Sequence, residues 1–334
     1  MIISSDIEFV DSHCHLPLIA DNWNEVDAIV ERATSAKVRQ MLCVSIDLEG
    51  VDKVLHCANR YDNVLASIGV HPQIQQNQKE PDVDILCSLL EKPKVVATGE
   101  TGLDFFHNDS SVEEQINRFK THIKAALITK KPLIIHCREA AEKTLEILRK
   151  ENAKQVGGIM HCFVENWEVA QAAMDLGFYI SFSGIITFKS AVDLQSVAKK
   201  IPISKLLVET DSPYLAPVPL RGKTNEPSNV VHTANSTTSV NDGSWHHVVI
   251  VLEGSSTMKI YVDGTLEDTT TGIAAGSFTS TRPIYLGVQE QPWLGGVNAA
   301  TYYDGKLDDI QVWNRALSAS EISTLHSNGR PDTV

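Results

Sequence analysis

Short runs of apolar and β-branched residues alternate with segments of helical periodicity over the first two thirds of the chain. Between the runs, Val112 to Thr129 and Arg138 to Lys150 space their apolar residues three and four apart, as amphipathic helices do. Alternating strands and helices predict a parallel sheet, and eight such units predict a closed (β/α)8 barrel of the TIM type. The eight candidate strands are FVDSHCH, QMLCVSI, VLASIGVHP, VVATGETGLD, PLIIHCR, GGIMHCF, FYISFSGII and KLLVETDSP.

The residue pattern changes after Glu226, where Ser, Thr, Gly and Asn alternate with apolar residues and strong helix formers become scarce. This alternation predicts antiparallel strands. We therefore predict a barrel over residues 1–226 and a partial antiparallel β-sandwich over residues 227–334. Candidate strands lie at residues 245–252, 258–262, 284–287 and 307–313, with a turn at Asp263 and Gly264 and a helix opened by the capping-box pair Ser318 and Glu321.

Composition and charge restrict the class of partner. The chain has 334 residues, of which 43% are hydrophobic and 21% are charged, as expected of a folded protein with a core. A net charge of -13 argues against a broad basic face for nucleic acid, so a polyanionic substrate must be held locally. No apolar run approaches the ~20 residues of a membrane span, and the N-terminus lacks a signal-peptide pattern. We expect a cytoplasmic protein without membrane contact.

Polar residues recur at the ends of the candidate strands, where strands buried on both faces should be apolar. His13 and His15 are two apart on the first strand, so their side chains point the same way. Closure of the barrel brings these residues together, and buried imidazoles and carboxylates cost several kcal/mol unless they are paired or bound to metal. The remaining members of the set are Glu100, His136, His161 and Asp211, which end the fourth, fifth, sixth and eighth strands.

This set of four imidazoles and two carboxylates predicts a metal centre. Its nitrogen and oxygen ligands suit Zn²⁺, Mn²⁺ or a similar divalent ion such as Mg²⁺, and no cysteine pair offers a thiolate site. Six ligands are many for one catalytic ion. Two ions bridged by a carboxylate, about 4 Å apart, would use all six and could clamp the attacking and leaving oxygens of a phosphodiester.

A series of motifs from about Phe9 to Glu226 resembles that of the TatD deoxyribonucleases: FVDSHCHL, IGVHP, GETGLDF, IHCREA, HCF, SFSG, ETDSPYLAP and RGKTNEP. The resemblance implies a metal-dependent hydrolase that cleaves DNA ends or a similar phosphodiester with metal-activated water. It also implies two metal sites that share Glu100. The first would consist of His13, His15, Glu100 and Asp211, and the second of Glu100, His136 and His161.

The same resemblance implies roles for residues around the ligands. His71 would lie near the scissile phosphate. Apart from the resemblance, Arg221 lies just beyond the last strand and could add positive charge at the rim for substrate binding, although such residues are more often simply solvated. Glu209 and Asp104 would orient ligands or water, and we count Glu209 with Glu100 and Asp211 as candidate catalytic carboxylates.

The last part of the chain resembles the second half of a laminin-G-like, concanavalin-type jelly roll, from roughly Ser228 to Gly329. This resemblance implies contact with carbohydrate or protein. Asp304, Asp308 and Asp309 are candidate Ca²⁺ ligands, although their spacing is more typical of exposed turns. The helix that follows the NEP motif in the TatD family is expected to be missing, as are the opening sandwich strands. We therefore expect exposed apolar surface at the junction and self-association.

Two other functions fit the same residues. The barrel could hydrolyse the ester bond of aminoacyl-tRNA with an identical ligand set. Alternatively, the sandwich could bind glycan or protein while the barrel acts as an inactive carrier. Complete metal ligation favours an enzyme, whereas loss of the last helix favours the binding protein.

Overall fold

A computed structural model describes residues 8–20, 22–74, 78–107, 109–237, 247–253, 257–262, 264–271, 288–289, 301–302, 311–313 and 315–327. The chain forms two compact units, a larger one over Asp6–Asp242 and a smaller one that includes Gly243–Val334. In the described part of the chain, no helix combines the length and the apolar content that a membrane span requires.

The larger unit is a barrel of eight parallel strands, each hydrogen-bonded to the next in chain order, as predicted. The first and last strands meet at an isolated parallel bridge between Cys14 and Ser212. The strands are β1 (Phe9–Cys14), β2 (Val38–Val44), β3 (Val64–Ile68), β4 (Val95–Asp104), β5 (Leu133–Arg138), β6 (Gly158–Met160), β7 (Phe178–Phe182) and β8 (Leu206–Val208).

Helices follow the strands along the chain. The longest begins at a capping box, in which Ser111 Oγ accepts a hydrogen bond from Glu114 N and the Glu114 carboxylate accepts one from Ser111 N. The helices are α1 (Leu16–Ile19), α2 (Trp23–Ser35), α3 (Val51–Arg60), α4 (Val83–Leu90), α5 (Val112–Thr129), α6 (Ala141–Lys150), α7 (Trp167–Asp175), α8 (Val192–Ala198) and α9 (Val230–Thr237).

The core lies between these helices and the strands. Phe119 and Ile123 of α5 are fully buried in one cluster with Leu133 of β5 and Phe178 of β7. Burial of each large apolar side chain stabilises the fold by about 1.5–3 kcal/mol relative to its exposure. The apolar face of α5 therefore holds the helix against the strands that carry the polar cluster.

The end of the barrel differs from the sequence-based expectation, because α9 forms where no helix was expected. Pro227–Asn229 make a single 3-10 turn that leads into α9, and Val230 and Thr233 are fully buried. Asn225 fixes this segment to the barrel by donating to Thr210 O at 2.9 Å. The predicted boundary near Glu226 therefore lies inside the larger unit. The sequence did not predict α9 because its residues have low helix propensity. Burial of its side chains stabilises this helix, and intrinsic propensity contributes little.

The smaller unit contains an antiparallel sheet of β9 (Val248–Glu253), β10 (Thr257–Val262) and β11 (Thr265–Thr271), in the order β11, β10, β9. Val251 of β9 and Tyr261 of β10 are buried with Leu317 and Ile322. These strands confirm the antiparallel character that was predicted for this part of the chain. Two further short strands, β12 (Val288–Gln289) and β13 (Thr301–Tyr302), pair antiparallel with each other.

The predicted terminal helix is present as α10 (Ala319–Ser327). Its capping box is formed, since Glu321 N donates to Ser318 Oγ at 3.3 Å and Ser318 N donates to Glu321 Oε2 at 2.8 Å. The candidate strand at residues 284–287 and the three aspartates Asp304, Asp308 and Asp309 lie outside the described residues. Residues 311–313, the described part of the last candidate strand, are not in a strand.

Candidate metal centre

All six predicted ligands meet at the carboxyl ends of the barrel strands. His13 lies in β1 and His15 just after it, Glu100 lies in β4 and His136 in β5, His161 follows β6, and Asp211 follows β8. Four of the six side chains are almost completely buried, and those of His136 and Asp211 are 18% and 14% exposed. The structure therefore brings together every residue of the predicted set in a site with little solvent exposure.

Glu100 is at the centre of this cluster, and its two carboxylate oxygens face different imidazoles. Oε2 lies 3.4 Å from His13 Nε2 and 3.8 Å from His15 Nε2. Oε1 lies 2.9 Å from His136 Nδ1 and 2.8 Å from His161 Nε2. Asp211 Oδ1 adjoins the first pair, at 3.4 Å from His15 Nε2. The donor atoms that are close enough to share an ion form three overlapping sets, two of which contain Glu100: His13, Glu100 and His161; His13, His15 and Asp211; and His71, Glu100 and His136.

The orientation of the imidazoles fits a cation. His15 Nδ1 donates to Val44 O at 3.0 Å, and His161 Nδ1 donates to Glu209 Oε1 at 3.1 Å. With the proton fixed on Nδ1, the Nε2 lone pair of each ring points into the cluster, which is the usual arrangement of metal-binding histidines. In addition, His13 Nε2 and His15 Nε2 face each other at 3.1 Å. A cation between them could take a lone pair from each ring.

The pKa shifts of the clustered residues arise from the close approach of the same imidazoles and carboxylates. Burial acts to raise the pKa of Glu100, but the imidazoles of His161, His13 and His136 outweigh it and hold this pKa well below its usual range. Burial acts to lower the pKa of His161, but the carboxylates of Glu100 and Glu209 raise this pKa well above its ordinary value. The buried carboxylates thus favour positive charge beside them, whether it is carried by imidazolium or by a metal ion.

Glu209 supports His161 and does not enter the cluster. Its carboxylate is fully buried, and Oε1 accepts from Cys162 N at 2.7 Å as well as from His161 Nδ1. Through this contact Glu209 can orient the His161 ring, and the role of His161 as a metal ligand stays a prediction.

His71 lies at the edge of the cluster, with Nε2 3.7 Å from Glu100 Oε1 and its ring edge-on to that of His136. Burial, followed by the charge of His136, lowers the pKa of His71 to about 4. A neutral ring at this position can donate or accept a hydrogen bond. Arg221 lies elsewhere on the rim, where its guanidinium stacks on Phe188, and no contact joins it to the cluster among the described residues.

Asp11 had no role in the sequence-based prediction, but in the structure its carboxylate contacts the backbone of His13, one of the predicted ligands. Its carboxylate is fully buried and accepts from Thr210 N at 2.9 Å and from His13 N at 3.3 Å. Burial raises the pKa of Asp11 to about 8 despite these hydrogen bonds. A signal was available, because Asp11, His13 and His15 alternate along β1 and share one face.

A second group that sequence reasoning missed lies on α5. Gln115, Arg118 and His122 are buried and spaced three and four apart on one face of the helix. Gln115 Nε2 donates to Asp104 O at 2.9 Å, and Arg118 Nη1 donates to His71 O at 3.3 Å. This polar face holds the two segments that carry His71 and Asp104. The amphipathic pattern concealed it, because polar positions on a helix are normally assigned to solvent.

We expect the folded chain to lose stability as the pH falls from 6.5 towards 4, in part because of His122. Its Nε2 accepts from Val70 N at 2.9 Å, and burial lowers its pKa to about 4 from an ordinary value of 6.5. Below pH 6.5 the unfolded chain binds a proton here that the folded chain does not, so the stability present above that pH is progressively lost. His122→Gln keeps an acceptor for Val70 N.

Urea unfolding of both proteins at about pH 7 and about pH 4.5 measures this effect. Between about pH 7 and about pH 4.5 we expect the free energy of unfolding to fall by about 2 kcal/mol less in the variant than in the parent. Equal losses in the two proteins would show that His122 does not contribute to the acid sensitivity.

Comparison with known proteins identifies the family to which the sequence of the barrel is similar. The sequence profile of the family described as TatD related DNase matches residues 10–254, and that of the concanavalin A-like lectin/glucanases superfamily matches residues 217–323. The two matches overlap in residues 217–254, the region that contains α9 and the end of the larger unit.

Individual relatives agree with the family profile. An uncharacterized metal-dependent hydrolase, YcfH from Escherichia coli, is 45% identical over 224 residues, which are 66% of this chain and 83% of the relative. A 3'-5' ssDNA/RNA exonuclease, TatD from Salmonella typhimurium, is 35% identical over 211 residues, 62% of this chain and 81% of the relative. The crystal structure of YJJV, a TatD homologue from Escherichia coli, superposes with a TM-score of 0.64 at 28% identity and covers 69% of this chain and 88% of its own.

Proposed function

Because the chain belongs to the TatD-related DNase family of metal-dependent hydrolases, we propose that it hydrolyses phosphodiester bonds at DNA ends with two divalent ions. The observation that carries this proposal is the division of the Glu100 carboxylate between two groups of imidazoles. A single ion would need only one of these groups. The name of the Salmonella relative, an exonuclease of single-stranded DNA and RNA, supports a nucleic-acid substrate.

In this proposal, His13, His15, Glu100 and Asp211 hold one ion, and Glu100, His136 and His161 hold the other. Ions bound there would acidify a water molecule and neutralise charge on the phosphate. Zn²⁺, Mn²⁺ and Mg²⁺ are all candidates for such a set of nitrogen and oxygen donors.

The protein groups then position the reactants and move protons. Asp211 has a partly exposed carboxylate beside His15, so it is placed to accept a proton from the attacking water. Glu209 holds the His161 ring in one tautomer, and His71 Nε2 faces the open side of Glu100, where it can donate to a phosphate oxygen. Since the net charge of -13 repels polyanions, we expect substrate affinity to come from the centre and its rim.

Metal analysis and substrate assays test this proposal together. Purified protein loaded with Zn²⁺, Mn²⁺ or Mg²⁺ should bind two ions per chain and hydrolyse single-stranded oligodeoxynucleotides. Excess chelator should abolish both hydrolysis and DNA binding. One ion per chain would contradict the binuclear proposal, and DNA binding that persists in chelator would contradict the expectation that substrate affinity comes from the metal centre.

An assay with aminoacyl-tRNA distinguishes the alternative ester substrate. Faster release of the aminoacyl group than of nucleotides would replace the nuclease assignment while keeping the metal centre. Contact of the smaller unit with carbohydrate or protein, and self-association of the chain, are separate predictions that sedimentation and glycan binding measure.

A further inference from the structure

Two arginines, Arg138 at the carboxyl end of β5 and Arg221 beyond β8, lie over phenylalanine rings. The guanidinium carbon of Arg138 is 4.1 Å from the centre of the Phe106 ring, and that of Arg221 is 4.1 Å from the centre of the Phe188 ring. At this distance each pair makes a cation–π contact. Phe106 is 51% exposed, although an exposed ring of this size forgoes about 1.5–3 kcal/mol of burial.

The charge of Arg138 is free for a ligand. Five of the eight arginines that the structure describes form ion pairs with a carboxylate: Arg32, Arg39, Arg60, Arg118 and Arg315. Within the described residues, no carboxylate lies within ion-pair distance of Arg138, which is exposed. In a chain of net charge -13, an unpaired guanidinium beside the centre is a local site for a phosphate.

Asp104 connects this pair to the metal centre. Its Oδ1 accepts from Phe106 N at 2.9 Å and from His107 N at 3.0 Å, and its Oδ2 lies 3.4 Å from His136 Nε2. Asp104 and Arg138 are paired in the register of β4 and β5. One carboxylate therefore fixes the turn that presents Phe106 next to a proposed metal ligand, so the position of the ring is set relative to the reacting phosphate.

We propose that Phe106 and Arg138 together form a binding platform for one unpaired nucleotide beside the scissile phosphate. This inference rests on the proposed function. The base stacks on the Phe106 ring, and the guanidinium contacts the adjoining phosphate. A base within a duplex is already stacked on both faces, so the platform selects unpaired ends. Stacking of this kind contributes strongly to the binding of single strands and tolerates any base, because every base has a π face.

Fluorescence anisotropy tests the platform without requiring turnover. The probe is a labelled single-stranded oligodeoxynucleotide with phosphorothioate linkages, which resist hydrolysis, bound to the metal-loaded full chain. A series of these probes carries one abasic site at successive positions. We expect one position to weaken binding about tenfold or more, and Phe106→Leu to weaken binding of the intact probe equally while leaving that abasic probe unaffected. Phe106→Tyr retains a ring and should bind as the parent does.

Tyr179→Leu is the matched control. Lys205 lies 4.6 Å from the centre of the Tyr179 ring, but Tyr179 is at the start of β7 and Lys205 just before β8, at the opposite end of the strands. This variant should bind every probe as the parent does. Arg138→Gln should weaken intact and abasic probes alike, because it removes charge and leaves the ring.

Two outcomes would overturn the platform: abasic sites without effect at every position, or equal effects of Phe106→Leu and Tyr179→Leu. Failure of the proposed function is distinguishable. In that case natural oligonucleotides are not hydrolysed with any ion, whereas the base-dependent binding at one position remains if the platform exists.

Discussion

Glu100→Gln should reduce hydrolysis about a thousandfold or more and lower the bound metal at both sites together. The substitution preserves the size of the side chain but removes the negative charge that lies between the two groups of imidazoles. Each site loses its shared ligand, and several kcal/mol of charge stabilisation at the phosphate is lost with the ions. Steady-state rates and metal analysis of the same preparation measure the two effects.

Two further variants make this result specific. Glu113→Gln changes an exposed carboxylate in the first turn of α5 and should leave both measurements unchanged. Glu209→Gln changes a group that acts through His161, so we expect a smaller loss, of about 10- to 100-fold. Full activity with unchanged metal content in Glu100→Gln would refute the shared-ligand centre.

Gly102→Ala should destabilise the barrel by about 3 kcal/mol or more and displace His136. Gly102 has a φ of +143°, which side chains rarely adopt, and a Cβ there would lie 2.0 Å from His136 O. That oxygen belongs to the neighbouring strand and cannot move without separating β4 from β5. Such a clash adds to the cost of the backbone conformation. Urea unfolding measures the loss.

Gly222→Ala separates the two causes. Gly222 also has a positive φ, +83°, but no atom lies within 4 Å of a Cβ built there. Its substitution should therefore cost about 1–2 kcal/mol, from the backbone alone. An equal loss of stability in Gly102→Ala and Gly222→Ala would show that the close approach of β5 to β4 is not the reason for glycine at position 102.

The strands and the clustering of the candidate ligands could be predicted from sequence because both follow from the pattern of apolar and polar residues along the strands. A polar residue at the end of an otherwise apolar strand, as at His136 or Asp211, stands out locally and needs no knowledge of its partners. Alternation along β1 then gives the common direction of His13 and His15.

The other parts of the site depend on contacts between distant segments. Arg118 and His122 look like the solvent face of α5 until the segment carrying His71 is placed against them. Similarly, α9 consists of residues with low helix propensity, and only the burial of Val230 and Thr233 accounts for it. Local patterns carry no information about either arrangement.

The junction between β1 and β8 has a consequence for how the barrel opens. Asp211 N donates to His13 O, and His15 N donates to Ser212 O, both at 2.9 Å. Three of the residues that make these two hydrogen bonds, His13, His15 and Asp211, are proposed metal ligands from opposite ends of the barrel sequence. A cation bound by their side chains would hold the end of β1 against the segment after β8, since binding to the closed barrel stabilises that form alone. After metal removal, hydrogen exchange should accelerate first at the amides of His15 and Asp211, while the amides between β4 and β5 stay protected.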